Sequence, residues 1–302
     1  MNAHDLVQEI IERKGKIENV FWIACGGSMI DLMPANELLK REATTFASTV
    51  YTAREFCLMV PKSLGPKSLV IACSHSGNTQ EVVDACEMAL AAGAEVVTMT
   101  DYAGSKIDNG KWTTWVYPWG KGESQAEVPQ GIGVLMAAEL LDQQEGYEAL
   151  ADMYAGLKQM DALLPAAREK VNAELGDRFA ELCQQHKFFY ILGSGPNFSQ
   201  TYAMAICSLM EMQWQHCSYI RRVLPRPVRG YRARRVLLCA ARIGRVSPHG
   251  GARAGVPQHA HRHDHGARRT RVRRGRRACQ RAFVPGANLL LRDELRAARS
   301  PR

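Results

Sequence analysis

A short apolar run that ends in small residues and opens into a helix occurs twice in this chain, and it restricts the fold more than any other feature. Val20-Phe21-Trp22-Ile23-Ala24-Cys25 runs into Gly26-Gly27-Ser28, and Phe188-Phe189-Tyr190-Ile191-Leu192 runs into Gly193-Ser194-Gly195. An apolar run of this length without polar alternation reads as a strand covered on both faces, and the glycines beyond it as a tight turn. Between the two copies the alternation continues. A helix is expected from about Ile30 to Arg41, a second buried strand at Leu69–Cys73, a helix over Thr79–Ala92, a third strand at Glu95–Thr100 and a shorter fourth at Trp115–Tyr117. Residues from Gly133 to about His186 are rich in Ala, Leu, Met, Glu and Gln and read as consecutive helices broken at Pro165. A last helix follows from about Asn197 to Trp214. Strands alternating with helices imply an α/β fold with a parallel, doubly wound sheet and right-handed crossovers. The return of the opening motif makes the chain a pseudo-repeat of two α/β halves, the first complete and the second only begun.

Charge divides the chain near Arg221. Residues 1–220 hold 16 lysines and arginines against 27 carboxylates, whereas residues 221–302 hold 23 arginines, no lysine and three carboxylates. The expected organisation is therefore a first α/β domain with its N-terminal helix over residues 1–142, a helical linker over 143–187, the start of a second α/β domain over 188–220, and an irregular basic tail over 221–302. The overall net charge of +9 belongs to the tail and is no evidence of a specific nucleic-acid partner. No run approaches the roughly 20 apolar residues of a membrane span, and the first residues lack a signal pattern, so the expected location is the cytoplasm. Nine scattered cysteines form no Cys-x-x-Cys pair, which points to reduced thiols and neither a disulfide framework nor a metal site.

Two loops carry the chemistry. In an open parallel sheet, ligands sit beyond the carboxyl ends of the strands. Gly26-Gly27-Ser28 lets the backbone approach an anion, and Ser74-His75-Ser76-Gly77-Asn78-Thr79 offers five polar side chains just where a helix begins. Hydroxyls, backbone N–H groups and the positive end of a helix dipole together suit a phosphate. The plainer alternative is that Ser, Asn and Thr merely cap a helix, worth about 1 kcal/mol. Two such loops after adjacent strands, with no P-loop lysine and no Gly-x-Gly-x-x-Gly, favour a phosphorylated small molecule over a nucleotide. No cofactor is expected.

The stretch Ser74-His75-Ser76-Gly77-Asn78-Thr79-Gln80-Glu81 resembles the Ser-x-Ser-Gly-x-Thr loop of the SIS (sugar isomerase) domain family, and Ala24-Cys25-Gly26-Gly27-Ser28 resembles its first phosphate loop. Leu209-Met210-Glu211-Met212-Gln213-Trp214-Gln215-His216 is similar to the segment before the active site of fructoselysine-6-phosphate deglycases. The resemblance covers about residues 18–220. It implies that Ser28, Ser74, Ser76 and Thr79, with His75 beside them, hold a sugar phosphate, that Glu211 is the catalytic base, and that the enzyme is a homodimer with a shared active site. A carboxylate suits proton transfer between C1 and C2 of an open-chain sugar phosphate because it can return the proton it takes. His216 is equally readable as a site residue or as a structural histidine. Related readings are an aldose–ketose or aminosugar phosphate isomerase of the same fold, resembling the isomerase part of glucosamine-6-phosphate synthase, and a non-catalytic sugar-phosphate sensor. No helix-turn-helix fits the roughly eighteen residues before the first strand, which speaks against the sensor.

The family pattern continues into a strand and a His-Gly-Pro motif whose histidine partners the glutamate; this sequence has no His-Gly-Pro. Pro225-Arg226-Pro227-Val228-Arg229-Gly230 can be encoded as CCA CGG CCC GTT CGA GGT, which one base out of step reads His-Gly-Pro-Phe-Glu-Val. Residues Gly251–Gln258 can likewise yield Glu-Arg-Ala-Leu-Ala-Phe-Leu-Asn, a helix start. These matches point to a frameshift near Arg221 that removes an activity residue from the chain. His259, His261, His263 and His265, and the arginines between Arg268 and Arg277, are then GC-rich coding sequence in the wrong frame, neither a metal tract nor a nucleic-acid arm.

Overall fold

The computed structural model describes residues 1–120, 123–221 and, as backbone, 236–239, and the chain forms two compact units, Met1–Leu163 and Leu164–Arg302. In the first unit α1 (Ala3–Lys14) leads to β1 (Asn19–Ala24), followed by α2 (Gly27–Glu42), β2 (Ala47–Thr52), α3 (Ala53–Leu58), β3 (Ser68–Cys73), α4 (Gln80–Ala91), β4 (Glu95–Thr100), β5 (Thr113–Val116) and α5 (Pro129–Glu145). The five strands form one parallel sheet in the order β2-β1-β3-β4-β5. Every residue of β3 is buried, as its unbroken Leu69-Val70-Ile71-Ala72-Cys73 run requires.

On one side of the sheet, Phe21, Ile23, Val70 and Ala72 pack with Phe56 from α3 and Val82, Ala85, Cys86 and Ala89 from α4. Helix α5 is apolar nearly all round and packs against α1 and α2, which explains its broad burial. Its one buried carboxylate, Glu139, accepts hydrogen bonds from Tyr154 at 2.7 Å and Gln143 at 3.2 Å and lies 2.9 Å from His4 Nδ1. A second buried polar chain runs from the Trp22 indole N–H to Ser48 Oγ and from that hydroxyl to Asn36 Oδ1, each at 2.9 Å, linking β1, β2 and α2.

Helix α6 (Leu150–Val171) crosses the unit boundary and is continued by a π-helical turn at Asn172–Gly176 and by α7 (Asp177–Gln185). In the second unit, β6 (Phe188–Gly193) is followed by a 3₁₀ turn (Gly195–Asn197), α8 (Phe198–Tyr202), a π-helical segment (Ala203–Met212), β7 (His216–Arg221) and β8 (Val236–Cys239). These strands form a parallel sheet in the order β7-β6-β8. Phe189, Ile191, Ala205 and Leu209 form the small core, with Phe179, Leu182 and Cys217 against it.

The α/β class, the parallel sheet and the strand–turn–helix repeat are as the sequence indicates. Three local expectations differ. Pro165 does not break α6: it removes one N–H, but the helix has no buried residue, so water can reach the carbonyl left without a donor. The helix expected from Gly133 begins at Pro129, whose missing N–H costs nothing in a first turn. The tail is not wholly irregular, because Val236-Leu237-Leu238-Cys239 pairs with β6. The other tail assignments, including the shifted His-Gly-Pro, the histidine tract and the arginine arm, lie outside the described residues.

Candidate functional site

Strand order β2-β1-β3-β4-β5 reverses direction between β1 and β3, which are hydrogen-bonded neighbours from Asn19–Ser68 to Ala24–Cys73. The loops that leave their carboxyl ends diverge to helices on opposite faces, and the crevice between them is where doubly wound sheets take ligands. Those two loops are Cys25–Ser28 and Ser74–Thr79.

The two loops are joined directly. The His75 N–H donates to Ser28 Oγ at 3.1 Å, so the serine of the first loop anchors the second. Ser74 N–H continues the sheet by bonding Met99 O at 3.0 Å, and Gly77 N–H closes a turn onto Ser74 O at 2.9 Å. Gly77 has φ of +65°, and a Cβ there would lie 1.9 Å from Ser105 Oγ and 2.8 Å from Thr100 Oγ1, so only glycine fits. The Gly77 carbonyl in turn accepts from Ile107 N–H at 2.9 Å.

The helix-capping alternative fails at the level of atoms. Thr79 occupies the N-cap position of α4 without a side-chain cap hydrogen bond, and its hydroxyl instead accepts from Ser74 Oγ at 3.0 Å. Helix α2 begins after Gly26, with φ of +54° and no side chain to cap with. Two helix N-termini without side-chain caps therefore open beside the same crevice, the arrangement that suits an anion. Ser76 and Asn78 are exposed at its rim; Asn78 N–H donates to Ser76 Oγ at 3.3 Å and Asn78 Nδ2 to Ser76 O at 2.8 Å. Lys106, bonded to Gln80 Oε1 at 3.1 Å, adds a positive charge there that no sequence motif signals.

His75 also gathers residues that lie outside any motif. Its Nδ1 lies 3.1 Å from Tyr117 Oη, its Nε2 lies 3.9 Å from Asp101, and its ring packs edge-on against Trp119 and Tyr102 with centroids at 4.9 and 6.1 Å. The buried Cys73 lies at the carboxyl end of β3, directly before this loop. Burial pushes the Tyr117 hydroxyl far above its ordinary pKa, with Cys73 and Asp31 adding to the rise, and burial likewise keeps Cys73 a thiol. The available signal was positional: Asp101, Tyr102, Tyr117 and Trp119 directly follow the carboxyl ends of β4 and β5.

Glu211 and His216 belong to the second unit. Glu211 is exposed at the end of the π-helical segment and His216 is exposed at the first position of β7. Between them the chain reverses at Trp214, a non-glycine residue at φ of +55°, and Gln215 N–H bonds Leu209 O at 2.8 Å. A ten-residue π-helix and a left-handed tryptophan are both costly geometries of the kind found at functional sites. Because the crossover helix runs against the strands, both residues lie at the amino end of β7. Gly193-Ser194-Gly195 lies at the opposite end of that sheet.

Among the described residues no group of three or more His, Cys, Asp or Glu side chains could hold a metal, and no helix is long and apolar enough to cross a membrane.

Residues 16–117 match the SIS domain model. The chain is 35% identical over 204 residues to fructosamine deglycase FrlB of Bacillus subtilis (strain 168), covering 67% of this chain and 62% of the relative. It is 26% identical to fructoselysine 6-phosphate deglycase of Escherichia coli O157:H7, covering 71% and 61%. It thus spans a little over three-fifths of the length of both curated relatives. A solved Bacillus subtilis structure, provisionally described as a phosphosugar isomerase, superposes with a TM-score of 0.67 at 34% identity over 72% of this chain and 67% of that one. Two loops that open into uncapped helix N-termini at the β1/β3 switch point, a matching domain model and a matching solved fold lead to one conclusion: the chain belongs to the SIS-domain family.

Proposed function

We propose that the crevice between Gly26-Gly27-Ser28 and Ser74–Thr79 binds the phosphate of a phosphorylated sugar, and that the chain derives from a deglycase of fructosamine 6-phosphates such as fructoselysine 6-phosphate. The observation that carries the first half is the pair of helix N-termini without side-chain caps, held together by the Ser28–His75 bond, with Thr79 diverted from capping by Ser74. The relatives named as deglycases supply the second half.

The chemistry follows from the substrate. A ketoamine loses a proton from C1 to a base and regains one at C2 while the amine N–H proton passes to the C2 oxygen, which converts it to an aldimine with a C2 hydroxyl. Water then cleaves the C–N bond to give glucose 6-phosphate and the free amine. Glu211 is assigned the base, since a carboxylate can take and return the same proton. His216 is kept as a candidate site residue. Isomerisation of a sugar phosphate uses the same proton transfer without loss of an amine. Sensing uses the crevice alone.

Calorimetric titration with fructose 6-phosphate tests the cradle. Ser76→Ala is expected to weaken binding by about 1–3 kcal/mol, the value of a hydrogen bond to a charged group. Unchanged affinity in a folded variant overturns the assignment of this loop.

A further inference from the structure

The phosphate crevice has a second layer, which rests on the sugar-phosphate reading above. His75 contributes its backbone N–H to the Ser28 bond, so its side chain is free for another task and remains 42% exposed. Around the imidazole, the neighbouring groups favour one arrangement of hydrogens. Its Nε2 edge lies 3.9 Å from the Asp101 carboxylate, an acceptor, which favours a hydrogen on Nε2. That leaves Nδ1 as a lone pair, which the Tyr117 hydroxyl at 3.1 Å can satisfy only by donating. Other charged and titratable groups around the ring are Tyr102, which packs against it, and Asp31, which acts on Cys73 and Tyr117.

We propose that Tyr117 is a positioning residue that locks His75 in the Nε2–H tautomer, so that the exposed Nε2–H, beside Asp101, holds a hydroxyl or carbonyl oxygen of the sugar next to the phosphate. Inorganic phosphate needs only the cradle. A sugar phosphate needs both layers.

The test uses the full chain labelled with ¹⁵N-histidine, at a pH high enough to keep imidazoles neutral, with the His75 signals assigned by their loss in His75→Gln. The wild type is expected to show Nε2–H at His75, and Tyr117→Phe to shift the ring toward the other tautomer. Calorimetry on the same variant is expected to show fructose 6-phosphate binding weakened about fivefold or more, one hydrogen bond's worth, with inorganic phosphate binding unchanged. In a His75→Gln background, Tyr117→Phe should add nothing, because an amide has no tautomer to set; this cycle separates positioning from a general loosening of the loop. An unchanged tautomer, an unchanged sugar-phosphate affinity, or a full additional loss in the His75→Gln background overturns the proposal. A wild type that binds neither ligand overturns the sugar-phosphate reading instead, and the tautomer measurement still decides whether Tyr117 sets the ring.

Discussion

Glu145, near the end of α5, accepts hydrogen bonds from both backbone N–H groups and both hydroxyls of Thr44 and Thr45, at 2.5 to 3.1 Å, and so ties α5 to the turn between α2 and β2. Partial burial alone would raise its carboxyl, but the Thr45 hydroxyl and the threonine N–H groups outweigh burial and hold the pKa below the ordinary value. A depressed carboxylate stabilises the fold above the unfolded-state pKa and stops doing so as pH falls through the folded one. Glu145→Ala should therefore lower stability by about 1 kcal/mol near neutral pH, a modest figure because the group is partly exposed. The difference from wild type should shrink below about pH 4.5, the ordinary carboxyl value. Urea denaturation at pH 7 and pH 3.5 checks this, and an equal difference at both contradicts it. At this scale the sequence revealed the residues whose type and spacing carry the signal, such as Ser28, Ser74, Ser76, Gly77 and Thr79. It could not reveal Tyr117, Asp101 or Trp119, because what matters about them is a meeting between loops that leave different strands.

Among the elements, the buried run from Trp22 to Ser48 to Asn36 is what fixes β2 at the edge of the sheet beside α2. Ser48→Ala leaves an indole N–H and an amide oxygen buried without their partner, so a loss of about 1–3 kcal/mol in chemical denaturation is expected. Ser48→Thr, which keeps the hydroxyl, should recover part of it. Strand β2 itself was missed in the sequence, and α3 with it. Ala47-Ser48-Thr49-Val50-Tyr51-Thr52 pairs only with β1 and is half exposed, so it has no apolar run to betray it, and the six residues of α3 are too few for a helical period. Strands β1, β3 and β4 were legible because their faces are covered and their composition says so. Strand β8 was hidden by the arginines around it, although Val236-Leu237-Leu238-Cys239 is itself apolar.

For the whole molecule, the shifted reading of the tail makes a direct prediction. The proposed proton transfer needs a second group beside Glu211, and the histidine of the family's His-Gly-Pro motif is absent from this sequence. Loss of one general acid or base typically costs about 10²–10⁴-fold. The chain as it stands is expected to release little amine from fructoselysine 6-phosphate, and a version restored to the shifted frame after Ile220 to release it readily; equal turnover by both contradicts the frameshift and the assigned catalytic pair together. The order β7-β6-β8 in the second unit reproduces β2-β1-β3 of the first, so the switch point is formed twice in one chain. Its two sets of loops are not chemically alike. The sequence beyond Cys73 is Ser-His-Ser-Gly-Asn-Thr, whereas the sequence beyond Cys239 is Ala-Ala-Arg-Ile-Gly, with no hydroxyl to offer. By topology the chain carries the switch point twice, and on the proposed reading only the first copy has the hydroxyl-rich loop for a phosphate, so a titration is expected to saturate at one phosphate per chain.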